Sequence, residues 1–301
     1  MVISMQPPVI IWRSLKIDEL ESNKWCDATH FLGSYWPGAS DVQSKIIKAF
    51  KEPDRTLMPL LLCLASAYAG LIEEVARREQ PDAIVRILAS KEISPEPDRP
   101  LSLLSARLSE TLGIPDRTEL FFRADGREPM RYVERLSGSE ALRARLQYVV
   151  QDIFLRPSHA GSCVLLIDDI YNLGATASVY AAALKRFCGA ERVVSVNLAA
   201  TRFQRGKDGR GDLNLDIERF SSLATSAITK EAKRAWRGSE PFQIGWIGKD
   251  DRILHSSPEC SMLGNSKARR TLRFLSGPNA VLCAECHPPA CSSWIARLMG
   301  R

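Results

Sequence analysis

Asp168 and Asp169 stand side by side after the apolar run Val164–Ile167, and a short loop with a glycine follows them. Two adjacent carboxylates can accept hydrogen bonds from a cis-diol or hold a hydrated Mg2+. The loop Asn172–Thr176 runs Asn172, Leu173, Gly174, Ala175, Thr176. Its successive N–H groups can turn inward as an anion nest, and a helix starting there adds its positive end. Gly174 permits close backbone approach, and Thr176 offers a hydroxyl to a phosphate oxygen. Together these groups suit a sugar phosphate.

A second set of reactive side chains lies near the C-terminus. His255, Cys260, Cys283 and Cys286 form His-x4-Cys, a 22-residue gap, then Cys-x2-Cys. Thiolate and imidazole donors at these spacings suit tetrahedral Zn2+, and four protein ligands leave no open position for water. The site is expected to be structural, with metal binding supplying much of the folding energy of so short a segment. His287 or Cys291 can take the place of one of the four. The segment is similar to small zinc-binding modules whose His-x4-Cys half precedes a Cys-x2-Cys half.

The strand, the two acids and the glycine loop resemble the signature of the type I phosphoribosyltransferases. Within that group the chain is most similar to ComF-like proteins, in which Asp-Asp-Val-Tyr-Thr-Thr-Gly-Ala-Thr is a common form. Here the stretch reads Asp168-Asp169-Ile170-Tyr171-Asn172-Leu173-Gly174-Ala175-Thr176, so Leu173 replaces the family's first loop threonine. The resemblance implies binding of phosphoribosyl pyrophosphate (PRPP) with Mg2+. Asp168 and Asp169 would meet the ribose diol, and Asn172–Thr176 the 5′-phosphate. Ser90 and Lys91, at the end of the run Ala83–Leu88, match the family's diphosphate loop. Arg131, in the charged segment over 123–145, matches its flap.

The resemblance implies transfer or removal of a phosphoribosyl group. It also implies two alternatives: a non-catalytic ComF-like nucleotide-sensing or DNA-processing and uptake accessory protein, and a retron-type phage-defence effector acting on nucleotides with an ATPase partner.

These groups need a scaffold that delivers them to one place. Val164–Ile167 reads as a strand buried on both faces of a parallel sheet, and such sheets bind ligands at their carboxyl edge. Ala83–Leu88 and Val193–Ala199 read as further strands. Helices are expected from Val42, over Leu57–Arg78, over Pro100–Leu112 with a stripe at Leu101, Leu104, Leu108 and Leu112, over Ala175–Phe187 and over Glu218–Trp236. Glu119–Arg123 and Tyr148–Phe154 are expected to be short strands. The expected fold class is therefore α/β, a type I phosphoribosyltransferase-like, mostly parallel sheet flanked by helices. An N-terminal hood is expected over 1–55, the phosphoribosyltransferase-like domain over 56–202, a linker and helix over 203–245, and a small zinc-binding module over 246–301.

Charge is unevenly placed along the 301 residues. Residues 201–301 hold 17 Lys and Arg against 10 Asp and Glu, an excess of +7, whereas the first 200 residues sum to −1. A basic C-terminal third is compatible with nucleic acid as a partner. No apolar stretch reaches the length of a membrane span, and the N-terminus lacks the pattern of a signal peptide. A cytoplasmic protein that does not enter membranes is expected, and there clustered cysteines point to metal before disulfides.

Overall fold

A computed structural model describes residues 9–38, 41–51, 58–126, 138–202, 213–224 and 226, together with the backbone of four strands between 242 and 282. In chain order the elements are β1 (Val9–Ile10), α1 (Ile11–Ser14), α2 (Ile17–Ser22), β2 (Ala28–Phe31), β3 (Ser34–Tyr35), α3 (Val42–Lys51) and α4 (Met58–Glu79). Then come β4 (Ala83–Arg86), α5 (Pro100–Leu112), β5 (Phe121–Arg123), α6 (Gly138–Val150), β6 (Ile153–Leu155), β7 (Cys163–Tyr171), α7 (Ala175–Phe187) and β8 (Arg192–Thr201). The last four strands are β9 (Phe242–Ile247), β10 (Ile253–Leu254), β11 (Arg269–Phe274) and β12 (Val281–Leu282). The chain divides into two compact units, residues 1–37 with 71–214, and residues 38–70 with 215–301.

The first unit is α/β, built on a mostly parallel sheet flanked by helices. Its strand order is β2-β8-β7-β4, with β3 also pairing β8, and every pairing is parallel. The two central strands are rich in buried apolar residues, as expected where both faces of a parallel sheet are covered. Val164, Leu165, Leu166 and Ile167 are buried, as are Val193, Val194 and Val196. Val85, Val164, Leu166 and Val193 join one core cluster with Leu146 and Val149 of α6 and Val179, Tyr180 and Ala183 of α7. On β4 and β7 packs α5, which starts with Pro100 at its first position and stops at Gly113 in a left-handed cap. Burying each large apolar side chain of this kind is worth about 1.5–3 kcal/mol.

The segment Tyr148–Phe154, expected to be a strand, is helical in its first part. Helix α6 continues to Val150, and only Ile153–Leu155 is extended. Leu146, Val149 and Val150 are buried at helical spacing in the core shared with α7, so tertiary packing overrides the β-branched local preference. Strand β6 instead joins a small antiparallel sheet of order β1-β6-β5.

In the second unit, Tyr68 of α4 stands edge-on between Phe50 of α3 and Phe220, with centroids 5.3 and 4.8 Å away. Strands β9 and β11 pair antiparallel from Phe242↔Phe274 to Ile247↔Arg269, and β10 pairs β12 in parallel. Among the described residues no helix is long and apolar enough to cross a membrane.

Candidate functional site

Strand β7 does not stop at Ile167. It runs through both acids to Tyr171, in register with β8 as Asp168↔Asn197 and Ile170↔Ala199. The acids are therefore successive strand positions, and their side chains leave toward opposite faces. Asp168 continues the row of Val164 and Leu166, which faces α7. Both carboxylates are half-buried. One oxygen of Asp168 accepts the N–H of Asp169 at 2.8 Å, and one oxygen of Asp169 accepts the N–H of Ile170. Each carboxylate is thus oriented by its own backbone.

The chain then turns sharply into α7. Gly174 has φ +79° and ψ 6°, a left-handed conformation that side chains disfavour, and its carbonyl accepts the N–H of Ser178 at 2.9 Å. Space is short as well: a Cβ on Gly174 would stand 2.5 Å from the hydroxyl oxygen of Tyr171. The Tyr171 ring is held edge-on to Phe31 of β2, 5.0 Å between centroids. Ala175 is buried, Asn172 and Thr176 are half-buried, and Leu173 is 39% exposed. The first N–H groups of α7 have no acceptors within the helix, so this turn can receive an anion.

A second loop leaves the carboxyl end of β4. Ala89 to Glu92 form a tight turn, closed by Glu92 N–H donating to Ala89 C=O at 3.0 Å, with Ser90 and Lys91 at its tip. Buried side chains fix its shape. Arg86 donates from both terminal nitrogens to the two carboxylate oxygens of Glu92, at 2.9 and 2.7 Å. Glu92 also accepts the N–H groups of Ala89 at 2.6 Å and Glu96 at 3.0 Å. Burial pushes the Glu92 carboxyl upward, but the Arg86 guanidinium and these N–H donors outweigh it and hold its pKa below the usual carboxylate range. Arg123 of β5 donates to the carbonyls of Leu88, Ala89 and Glu92, and lies 3.2 Å from Asp152. The Leu88 N–H donates to the Tyr180 hydroxyl of α7 at 3.2 Å, and Phe121 stacks on that ring.

The two loops emerge from the same edge of the sheet. Strands β4 and β7 are parallel neighbours, paired as Arg86↔Ile167, with Ile87 N–H donating to Ile167 C=O at 2.9 Å. Asp168, Asp169, Asn172–Thr176, Ser90 and Lys91 are thereby all delivered to the carboxyl end of adjacent strands, spaced about 4.8 Å apart. Arg131 lies outside the described residues, as do His255, Cys260, Cys283 and Cys286. Among the described residues no three His, Cys, Asp or Glu side chains gather as a metal site. A carboxylate is a hard oxygen donor of the kind that Mg2+ takes, and Asp168 and Asp169 each offer one, on opposite faces of β7.

Sequence reasoning missed Arg86, Glu92, Arg123 and Asn197. Arg86 had a readable signal, a charged residue inside the apolar run Ala83–Leu88, which a buried strand tolerates only with a partner. Asn197 had none before its register with Asp168 was known. It is fully buried, its amide nitrogen donates to Ser195 Oγ at 3.0 Å, and its Oδ1 has no partner among the described residues.

No protein-family model, no curated protein and no solved structure matches the chain.

Proposed function

We propose that the first unit is a type I phosphoribosyltransferase-like domain that binds PRPP or a nucleotide and transfers or removes its phosphoribosyl group. One observation carries this reading. Two anion-receptive loops, Asn172–Thr176 and Ala89–Glu92, leave neighbouring parallel strands at one edge, with Asp168 and Asp169 on the strand leading into the first. A 5′-phosphate on the α7 turn and a diphosphate on Ser90 and Lys91 would span them, with the ribose diol at the acids. Arg131 is assigned to the same ligand by resemblance alone.

In the forward reaction a nitrogen nucleophile attacks the ribose C1. The bond from C1 to the diphosphate oxygen breaks, and pyrophosphate leaves with the electron pair. Bound Mg2+ would offset charge on that leaving group. The chain's own contribution is positioning of both phosphates and of the ring hydroxyls, and stabilisation of the leaving charge by Lys91.

A second reading, a nucleotide sensor without turnover, is favoured by Leu173. An exposed leucine supplies no hydroxyl where the family pattern has threonine. One hydrogen bond to a charged group is worth about 1.5–3 kcal/mol, enough to weaken a substrate complex substantially. Zn2+ on His255, Cys260, Cys283 and Cys286, and nucleic acid or an ATPase as partner of the basic C-terminal third, remain part of the proposal on sequence grounds.

The test is calorimetric titration with PRPP plus Mg2+, and separately with AMP, GMP and UMP, on the native protein and the Asp168→Asn/Asp169→Asn variant. Micromolar binding that the variant loses supports the reading. Absence of binding to all four ligands removes it. Release of pyrophosphate from radiolabelled PRPP, or of base from a nucleotide, then separates enzyme from sensor.

A further inference from the structure

The Ala89–Glu92 turn is held more firmly than a surface turn requires. Arg86 and Glu92 are both withdrawn from solvent, at 1% and 0% exposure. Burying two charges is costly, and replacing such a pair with apolar residues is often neutral or stabilising. Stability alone is therefore a poor reason for them. Their geometry suggests another: Arg86 holds the Glu92 carboxylate, and the remaining bonds of that carboxylate go to backbone N–H groups in and just after one turn. The Glu92 carboxylate takes the N–H groups at both sides of the tip, from Ala89 and Glu96. The Arg123 guanidinium gathers three carbonyls, those of Leu88, Ala89 and Glu92.

Turning those carbonyls toward a buried cation has an electrostatic consequence. Carbonyl oxygens repel a phosphate, and here three of them are drawn inward. The N–H groups of Ser90 and Lys91 take no backbone acceptor among the described residues. Gly126 packs closely on this tip, where a Cβ would stand 3.3 Å from the Lys91 carbonyl oxygen. The turn is thus shaped before any ligand arrives.

Resting on the phosphoribosyl reading above, we infer that Glu92 and Arg123 are positioning residues for a diphosphate: they lock the Ala89–Glu92 turn so that Ser90 and Lys91 present their N–H groups and side chains to the ligand. Neither residue touches the ligand. A preorganised loop avoids the ordering cost that a flexible loop meets on binding. The bonds by which Arg86, Glu92 and Arg123 hold this turn do not end on the α7 turn proposed for the 5′-phosphate.

That division supplies the experiment. Affinity for inorganic pyrophosphate with Mg2+, and for AMP, is measured by calorimetry on the native protein, Glu92→Gln, Arg123→Lys and the double variant Arg86→Met/Glu92→Met. The double variant leaves no unpaired buried charge and keeps the question open if Glu92→Gln fails to fold. Pyrophosphate affinity is expected to fall about tenfold or more in each folded variant, the size of one lost charged hydrogen bond, while AMP affinity stays unchanged. A lock that served only folding would lower both affinities together or neither. Native-like pyrophosphate affinity in the folded double variant overturns the inference while leaving the phosphoribosyl reading intact. A native protein that binds neither ligand overturns that reading, and the inference with it.

Discussion

Arg86 and Glu92 meet as a two-pronged ion pair, Nη1 to Oε2 at 2.9 Å and Nη2 to Oε1 at 2.7 Å, inside the carboxyl end of the sheet. Removing one partner strands the other in the interior, so Arg86→Ala or Glu92→Ala should each cost about 3–5 kcal/mol. Arg86→Met/Glu92→Met should cost less than Glu92→Ala, since both lose the acceptor for the Ala89 and Glu96 N–H groups but only the single variant strands a buried charge. Urea unfolding of the three variants measures this. Equal loss in single and double variants would mean that the pair is not coupled.

The same pair predicts an acid-sensitive fold. The folded-state pKa of Glu92 lies below its unfolded value, which is about 4.3. Its contribution to stability is therefore fully present above that value and is lost as pH falls through the folded pKa. The native protein should lose stability on acidification more steeply than Arg86→Met/Glu92→Met. Urea midpoints compared from pH 7 down to about 3, below the unfolded carboxylate value, show it. Parallel curves for the two proteins would remove Glu92 as a source of the slope.

Asp168 and Asp169 should not be equivalent. They leave β7 on opposite faces, and only Asp168 shares the face that leads to α7 and its anion turn. Asparagine keeps an oxygen for the backbone N–H that each carboxylate accepts, so that bond survives both substitutions. Asp168→Asn should weaken PRPP binding more than Asp169→Asn, with thermal midpoints unchanged in both. Identical affinity losses would show that the ribose is read symmetrically, contrary to the strand alternation.

What the sequence disclosed followed from strong local signals. The apolar run before Asp168, the glycine after it and the Ala175–Phe187 periodicity were enough to place a strand, a turn and a helix in the right order. The leucine stripe from Leu101 to Leu112 placed α5, which the structure opens at Pro100 and closes at Gly113. The end of β7 was missed because charged residues at 168 and 169 read as the close of a buried strand, whereas pairing with Asn197–Ala200 carries the ladder to Tyr171. Of the Arg86–Glu92–Arg123 assembly only Arg86 left a signal, a charge inside an apolar run. Arg123 is 31 residues from Glu92, and only the fold brings it to the turn that follows β4.

Gly174 should be intolerant of any side chain. Alanine there must adopt φ near +79° and bring its Cβ within 2.5 Å of the Tyr171 hydroxyl oxygen. The backbone strain alone costs of order 1–3 kcal/mol. Gly174→Ala should lower stability and weaken AMP binding, because the turn that presents the first α7 N–H groups must shift. Adding Tyr171→Ala removes the collision but not the strained φ, so it should restore only part of the loss. Thermal midpoints and AMP titration on the single and double variants distinguish the two contributions. Full rescue would assign the whole effect to Tyr171.

Leu173 offers a test in the direction of gain. It is one of three large apolar residues left exposed among those described, and it sits in the turn proposed to hold the 5′-phosphate. Threonine at this position would remove exposed apolar surface and introduce a hydroxyl donor beside the anion. Surface changes of this kind leave stability within about 0.5 kcal/mol. A new hydrogen bond to a charged phosphate is worth about 1.5–3 kcal/mol, so AMP and PRPP should bind Leu173→Thr about tenfold to a hundredfold more tightly. The gain must disappear when Asp168→Asn/Asp169→Asn is added, since the ribose then loses its anchor and the phosphate is no longer brought to the turn. Unchanged affinity in Leu173→Thr would place the phosphate elsewhere and leave the α7 turn a structural corner.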